Sequence, residues 1–190
     1  MEERPELYFP RDVEWHEWLL LNHDRYPKGI YLIFYKLETG IPTMRWEEAV
    51  KVALCFGWID STVKSLGGGK RRQYFCPRNP KSTWSKLNKS YIEILEMEGL
   101  IHESGWKMIE LAKETGTWSA MDDVENGVIP EDLRKAFDAS PQAFENYQNF
   151  AFGYRKSYLS WLYGAKREET RQKRISEIIR LCKANIKSRM

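Results

Sequence analysis

Two prolines three positions apart, Pro77 and Pro80, follow the last segment of the chain that has the composition of a β-strand. A proline has no backbone N–H to donate to a sheet and disfavours helix in the residue before it, so no regular element can run through residues 77–80. Every segment beyond them has helical periodicity. We therefore predict an α+β fold, in which a small antiparallel sheet with packed helices is followed by a C-terminal helical part.

Three strands and two helices are predicted before these prolines. The run Ile30–Tyr35 is β-branched and aromatic and too short for a free-standing helix, which favours a buried strand. Residues 58–66 and 71–76 flank three consecutive glycines and predict a hairpin whose loop is longer than two residues. Apolar residues at three- and four-residue spacing predict helices over Asp12–Asn22 and over residues 46–54.

The chain after the prolines is predicted to be helical. Its helices are expected over residues 85–98, 104–114, 130–138, 141–150, 156–165 and 168–183. The polar segment 122–127 ends in glycine and is the predicted linker. The predicted domains are therefore an α+β domain with the basic hairpin over residues 1–121 and a helical domain over residues 128–190.

Composition and cysteine usage bound the kind of protein. Of the 190 residues, 42% are hydrophobic and 14% aromatic, which favours a folded core over disorder. No apolar run is long enough to span a membrane, and the first residues lack the charged-then-apolar order of a signal peptide. Cys55, Cys76 and Cys182 are widely spaced and form no C-x-x-C pair, so neither a disulfide framework nor a zinc site is indicated. We expect a cytoplasmic protein.

Charge is distributed unevenly along the chain. The net charge is only +3, but residues 64–91 include eight basic residues and no acidic one. Residues 92–125 reverse the balance, with nine acids against two bases. The distribution of charge, rather than its total, decides which partners are attracted. An anionic small molecule or an acidic partner is the predicted ligand of the acid-free stretch 64–91.

The acid-free stretch and the strand before it also contain the side chains that an anion site needs. Arginine offers a planar fork of donors, lysine a point charge, and serine and asparagine short hydrogen bonds to phosphate, carboxylate or sulfate. Ser82 and Ser85 precede the next helix, where free N–H groups and the helix dipole favour an anion. The predicted ligand-binding residues are Trp58, Asp60, Ser61, Lys64, Arg72, Arg78, Lys81, Ser82, Trp84, Ser85 and Asn88.

A purely structural interpretation of the same residues stays open. Ser85 would then cap the following helix and Trp84 would pack against it as a staple. The basic residues would be solvated, or would pair with the acidic stretch after Ile92. Asp60 and Ser61 would be edge or turn positions of a strand.

The motifs of common catalytic, metal and cofactor sites are missing from the sequence. His16, His23 and His102 have no metal-ligand spacing. The three glycines before Lys70 do not belong to a P-loop, because Arg71 takes the position of the required Ser or Thr. Neither a dinucleotide fingerprint nor a serine-hydrolase elbow occurs. We predict no catalytic residue, no metal and no cofactor.

Three functions fit these observations, and a binding protein for an anionic ligand is preferred. Nucleic-acid binding through the basic surfaces and their aromatic residues is the second, although no DNA-binding motif supports it. An enzyme that uses Cys55, Asp60 or Ser61 is the third, but nucleophile, base and orienting partner cannot be assembled from the sequence.

Three motifs of the chain resemble those of one family. They are Ala53-Leu54-Cys55-Phe56-Gly57-Trp58-Ile59-Asp60-Ser61, Pro77-Arg78-x-Pro80-Lys81-Ser82-x-Trp84-Ser85-Lys86-x-Asn88 and Ala165-Lys166-Arg167-x-Glu169-Thr170-Arg171-x-x-Arg174-Ile175. With these residues the chain resembles the bacterial YdeI/OmpD-associated family, whose members are also called bacteriocin-protection proteins. Trp18-Leu19 with His23, and Pro130-Glu131-Asp132-Leu133, extend the resemblance over nearly the whole chain.

The resemblance implies an α+β fold with a C-terminal helical region of the OmpD-associated type over residues 128–190. It also implies a link to outer-membrane porin expression and to resistance against antimicrobial peptides or bacteriocins, and hence a stress or resistance role. It supplies neither an enzymatic reaction nor catalytic residues. The chain departs from the family in residues 67–72, which are richer in glycine and in basic residues.

Overall fold

A computed structural model describes residues 4–188 of the chain. These residues form two compact units, of which the first ends at Ser119 and the second begins at Ala120. Within the described residues, strands occur only in the first unit and the second is helical, which confirms the predicted α+β class. No helix in this part of the chain is both long and apolar enough to cross a membrane.

Four strands of the first unit form one mixed sheet. They are β1 (Glu6–Tyr8), β2 (Ile30–Tyr35), β3 (Trp58–Gly67) and β4 (Lys70–Pro77), in the spatial order β1-β2-β4-β3. β4 pairs antiparallel with both of its neighbours, whereas β1 pairs parallel with β2. The sequence does not predict β1, because three residues ahead of Pro10 are too few for the alternation of a strand to be visible.

The β3–β4 hairpin turns through two residues. Gly68 and Gly69 have φ angles of 55° and 74°, which tight hairpin turns require and which glycine adopts without strain. Gly67 is the last residue of β3 and pairs with Lys70 across the hairpin. The prediction of a loop longer than two residues was therefore wrong, because the first of the three glycines belongs to the strand.

Four helices share one core with the sheet. They are α1 (Asp12–Asn22), α2 (Trp46–Cys55), α3 (Lys86–Met97) and α4 (Glu103–Glu114). The ring of Trp15 on α1 lies edge-on to Trp58 of β3 and Phe75 of β4, with ring centroids 6.2 and 5.9 Å apart. The Trp15 indole N–H donates to the Ala49 carbonyl at 3.2 Å, and that of Trp58 donates to the His23 carbonyl at 3.0 Å. These two buried tryptophans thus keep their donors satisfied.

The second unit packs five helices around its own core. They are α5 (Asp122–Glu125), α6 (Glu131–Asp138), α7 (Pro141–Asn149), α8 (Phe152–Tyr163) and α9 (Glu168–Lys183). α5 lies within the segment predicted as a linker, and it places Val124 in this core. Arg171 of α9 holds the carboxylate of Asp132 on α6 with Nε at 2.5 Å and Nη2 at 3.0 Å. This contact lowers the pKa of the Asp132 carboxyl.

Candidate functional site

A cleft of about 1160 Å³ lies beside the turn of the β3–β4 hairpin. One wall is the hairpin from Val63 to Arg71, and the other is the connection from β2 to α2. Phe34 at the end of β2 and Trp46 at the start of α2 also line it. Small-molecule pockets typically measure ~300–1,000 Å³, so this cleft can hold a ligand larger than a simple ion.

The cleft keeps its shape because the hairpin turn packs against the β2–α2 connection. The Lys36 N–H donates to the Gly69 carbonyl at 2.8 Å. A Cβ added to Gly69 would lie 2.5 Å from Cγ2 of Thr39, a distance that real Cβ atoms do not show. Met44, which is 3% exposed, anchors the same connection in the core. Glycine at position 69 therefore allows the close approach of the two walls.

The charges that line the cleft are unbalanced. Its two acids are already paired, Glu38 with Lys36 at 3.2 Å and Glu47 with Lys51 at 3.0 Å. Its remaining bases are Arg45, Lys70 and Arg71. None of these three has an ion-pair partner within residues 4–188. The cleft therefore carries positive charge that the described chain does not neutralise.

Arg71 is held over an aromatic ring. It stands opposite Phe34 in the β2–β4 register, so both side chains project from the same face of the sheet. The Arg71 Cζ lies 5.2 Å from the centroid of the Phe34 ring, which is itself 2% exposed. This cation–π contact positions the guanidinium, whose N–H groups meet no acceptor in the described part of the chain.

A half-buried carboxylate joins Trp46 to the hairpin. The Trp46 indole N–H donates to Oδ2 of Asp60 at 2.8 Å, and the side-chain amide of Gln73 donates to the same oxygen. Gln73 is 5% exposed. Asp60, a predicted ligand-binding residue, does not line the cleft but positions Trp46, which does.

Arg78 lies inside the first unit rather than on its surface. Its side chain is 5% exposed, its Cζ lies 3.7 Å from the centroid of the Trp84 ring, and Nη2 donates to the Thr83 carbonyl at 2.5 Å. Its Nε and Nη1 are buried without an acceptor among the described residues. Burial lowers the pKa of Arg78 to about 10, against the opposing effect of the Asp60 charge.

The remaining predicted residues of the sheet are divided between the core and the surface. Trp58 and Trp84 are each 1% exposed and belong to the core. Lys64 and Arg72 oppose each other across the hairpin. Arg72 also forms an ion pair with the Glu6 carboxylate of β1 at 2.5 Å. Ser61 is exposed on β3.

The predicted residues just before α3 or in its first turn either cap this helix or face solvent. The Ser85 hydroxyl accepts from the backbone N–H of Asn88 at 3.2 Å and caps the helix. The Ser82 hydroxyl donates to the Asn79 carbonyl at 2.7 Å, and Lys81 is exposed. The structure thus does not gather the predicted residues in one place, and none of them lines the cleft. Ligand binding by these residues stays a prediction.

The bases of the cleft could be found only in part from the sequence. Lys70 and Arg71 follow three glycines within the acid-free stretch, which is a usable signal. Arg45 carries no such signal, because it precedes α2 and meets the hairpin only through the packing of the β2–α2 connection against the turn.

Cys55 does not have the environment of a catalytic nucleophile. It is 2% exposed, and its Sγ contacts the Lys51 carbonyl at 3.4 Å. Burial raises the pKa of its thiol to about 12, so the thiolate does not form near neutral pH. In the described residues, no hydrogen bond joins Cys55 to Asp60 or Ser61. The same residues contain no group of three or more His, Cys, Asp or Glu side chains that could hold a metal ion.

Two family models match the chain. Residues 7–108 match a domain of unknown function, DUF8412. Residues 126–185 match the OmdA family, described as bacteriocin-protection, YdeI or OmpD-associated. This confirms the predicted resemblance for the C-terminal part alone, because the motifs over residues 53–61 and 77–88 fall within the first match. No curated protein and no solved structure matches the chain.

Proposed function

The chain belongs to the family of the DUF8412 domain and carries a C-terminal OmdA domain, and from this premise we propose that it is a binding protein for acidic ligands. The proposed site is the cleft beside the β3–β4 hairpin. The ligand is a molecule or a partner segment that carries carboxylate, phosphate or sulfate groups. This extends the sequence-based expectation of an anion-binding surface to a specific place in the fold.

The observation that carries the proposal is the set of three bases without ion-pair partners on one cleft. Arg45, Lys70 and Arg71 line the same cleft without an ion-pair partner among the described residues, and an anion bound there would offset their positive charge. Arginine forks suit the planar geometry of carboxylates and phosphates. The contact with Phe34 holds one fork in position before a ligand arrives, which reduces the entropy lost on binding.

Binding without catalysis is the preferred role. The residues that line the cleft include no histidine and no cysteine, and among the described residues neither of its aliphatic hydroxyls, Thr43 and Ser65, hydrogen-bonds to a lysine or a carboxylate. The description of the C-terminal match supports a part in protection against bacteriocins or in another stress response of a bacterium. Cys55, Cys76 and Cys182 are free thiols, which supports a reducing compartment such as the cytoplasm.

Isothermal titration calorimetry of the full chain with tricarballylate and with pyrophosphate tests the proposal. We expect Arg71→Gln and Arg45→Gln each to weaken binding by about tenfold, since a charged hydrogen bond contributes ~1.5–3 kcal/mol and 1.4 kcal/mol is tenfold. Lys81→Gln and Lys64→Gln remove the same charge away from the cleft and are the matched controls.

Two results would contradict the proposed site. One is that neither anion binds to the chain at millimolar concentration. The other is that Lys81→Gln weakens binding as much as Arg71→Gln. The anion would then bind at the segment before α3 and not in the cleft. Circular dichroism spectra of all four variants check that each one remains folded.

A further inference from the structure

β3 is an exposed edge of the sheet. It is the last strand in the order β1-β2-β4-β3, and within residues 4–188 it pairs only with β4. Every residue from 61 to 68 is exposed, including Val63 at 56% and Leu66 at 38%. The opposite edge strand, β1, has three residues, whereas β3 has ten. The sheet therefore ends in a long strand with one open side.

Part of the backbone of β3 is free to pair with another strand. In an antiparallel pair, the N–H and C=O groups of successive residues point alternately to the partner and away from it. For residues 61–66 the outward groups have no hydrogen-bond partner in the part of the chain that the structure describes. Prolines, charges and bulges commonly protect such edges.

The protection of β3 is incomplete. It contains no proline, its only charged residue within 61–66 is Lys64, and its register with β4 shifts after Asp60 and after Ser65. Lysine at this position disfavours a basic strand and not an acidic one. Residues 63–65 between these shifts keep a regular register. The covalently attached strand β1 likewise pairs in this sheet over three residues.

We propose that the acidic ligand of the cleft is an extended segment of a partner protein that adds to the sheet along β3; this inference rests on the proposed anion-binding function. Val63 and Ser65 both line the cleft, and alternate residues of a neighbouring strand share their face. Every second side chain of the added segment therefore lies on the face of the sheet that carries the cleft. Main-chain hydrogen bonds supply affinity in this mode of recognition, and the alternate side chains supply specificity.

The positive charge of the hairpin favours an acidic partner segment. Residues 61–77 contain no acid, and of their four bases Lys70 and Arg71 line the cleft, whereas Lys64 and Arg72 lie outside it. The cleft of about 1160 Å³ has room for several carboxylate side chains. A second copy of this chain is a poor occupant, because two β3 edges would bring the same bases together and like charges on neighbouring strands are destabilising.

Fluorescence anisotropy of the full chain with blocked, rhodamine-labelled peptides tests the inference. The parent peptide is Thr-Glu-Val-Asp-Val-Glu-Thr. Two variants carry N-methyl groups on alternate amides, one on the odd and one on the even positions, and a third variant has lysine in place of each acid. Since an added strand pairs along one edge only, we expect one methylated peptide to bind at least tenfold more weakly and the other to bind like the parent. The lysine peptide is expected to lose at least tenfold in affinity.

Several results would overturn the inference. They are equal binding of the two methylated peptides, tighter binding of a single-stranded oligonucleotide of equal charge, and a dimer of the chain that the peptide dissociates. If tricarballylate binds in a manner that depends on Arg71 but the parent peptide does not bind, strand addition is wrong and the proposed function stands. If neither tricarballylate nor the peptide binds, both are wrong.

Discussion

The guanidinium of Arg78 lies 3.7 Å from the centre of the Trp84 ring, and both side chains are buried. Nη2 of Arg78 also donates to the Thr83 carbonyl. These two contacts fold the segment between β4 and α3 back on itself. The segment that the sequence marks as a basic surface thus has a buried charge at its centre. The Arg78–Trp84 contact therefore affects the stability of the first unit.

Substitutions at Arg78 should separate the effect of volume from that of charge. Arg78→Ala leaves a cavity under Trp84 and is expected to lower the free energy of unfolding by about 3 kcal/mol. Arg78→Met keeps most of the volume and removes two unpaired buried donors, so we expect a loss of only about 1 kcal/mol. Urea denaturation measures both values. Equal losses for Met and Ala would show that the charge itself is required.

Two neighbouring glycines of the hairpin turn should differ in their tolerance of alanine. A Cβ at position 68 would have no atom within 4 Å, so only the positive φ opposes alanine there. We expect Gly68→Ala to lower the free energy of unfolding by about 1–2 kcal/mol. Gly69→Ala has the same backbone strain and also collides with Thr39, so we expect a loss at least 1 kcal/mol larger. Thermal unfolding of the two variants compares them directly. Similar stabilities would mean that the hairpin turn does not pack against Thr39.

Alanine at two helical glycines should have effects of opposite sign. A Cβ on Gly105 of α4 would lie 2.3 Å from the Cys55 carbonyl oxygen, so Gly105→Ala must separate α4 from α2 and should cost 2 kcal/mol or more, at the upper end of an overpacking change of ~1–3 kcal/mol. Gly153 of α8 has open space around its Cα and no positive φ. Gly153→Ala should stabilise the chain by about 0.5–1 kcal/mol. A destabilising Gly153→Ala in chemical denaturation would contradict the helix start at Phe152.

Buried thiols should make the chain less stable at alkaline pH. Burial raises the pKa values of Cys55 and Cys182 from 9.0 to about 12. The unfolded state therefore loses these protons above pH 9 while the folded state retains them, so the free energy of unfolding falls as pH rises from 9 towards 12. Each thiol contributes a slope of up to ~1.4 kcal/mol per pH unit. Denaturation at pH 8 to 10.5 measures the slope in the wild type and in Cys55→Ala/Cys182→Ala. An unchanged slope in the double variant would show that other groups cause it.

Local sequence patterns account for most of the elements. The bounds of α1, β2 and α9 agree with the prediction at both ends, because helical spacing and a short β-branched run are strong local signals. β1 is not predicted from the sequence, because a strand of three residues depends on its pairing with β2 and is too short for a visible alternation of apolar and polar residues. α8 begins at Phe152 and not at residue 156, because the packing of this unit overrides the low helix propensity of Gly153.

The candidate site is less accessible to sequence reasoning. Arg78 and Arg71 both belong to the acid-free stretch, yet Trp84 buries the first while the second lines the cleft. Nothing in their neighbours along the chain distinguishes them, because burial is decided by tertiary packing. Arg45 joins the cleft from a distant connection, which tertiary contacts such as the Lys36 N–H to Gly69 carbonyl bond and the Trp46–Asp60 bond bring to the hairpin.

The most direct test of the central claim is a map of where an acidic ligand binds. Tricarballylate is titrated into the ¹⁵N-labelled full chain, and amide and indole N–H shifts are followed by NMR. We expect saturable shifts of the Trp46 indole N–H and of the amides of residues 67–71, with the amides of residues 81–85 unchanged. Shifts confined to residues 81–85, or no saturable shift at the cleft, would contradict the account.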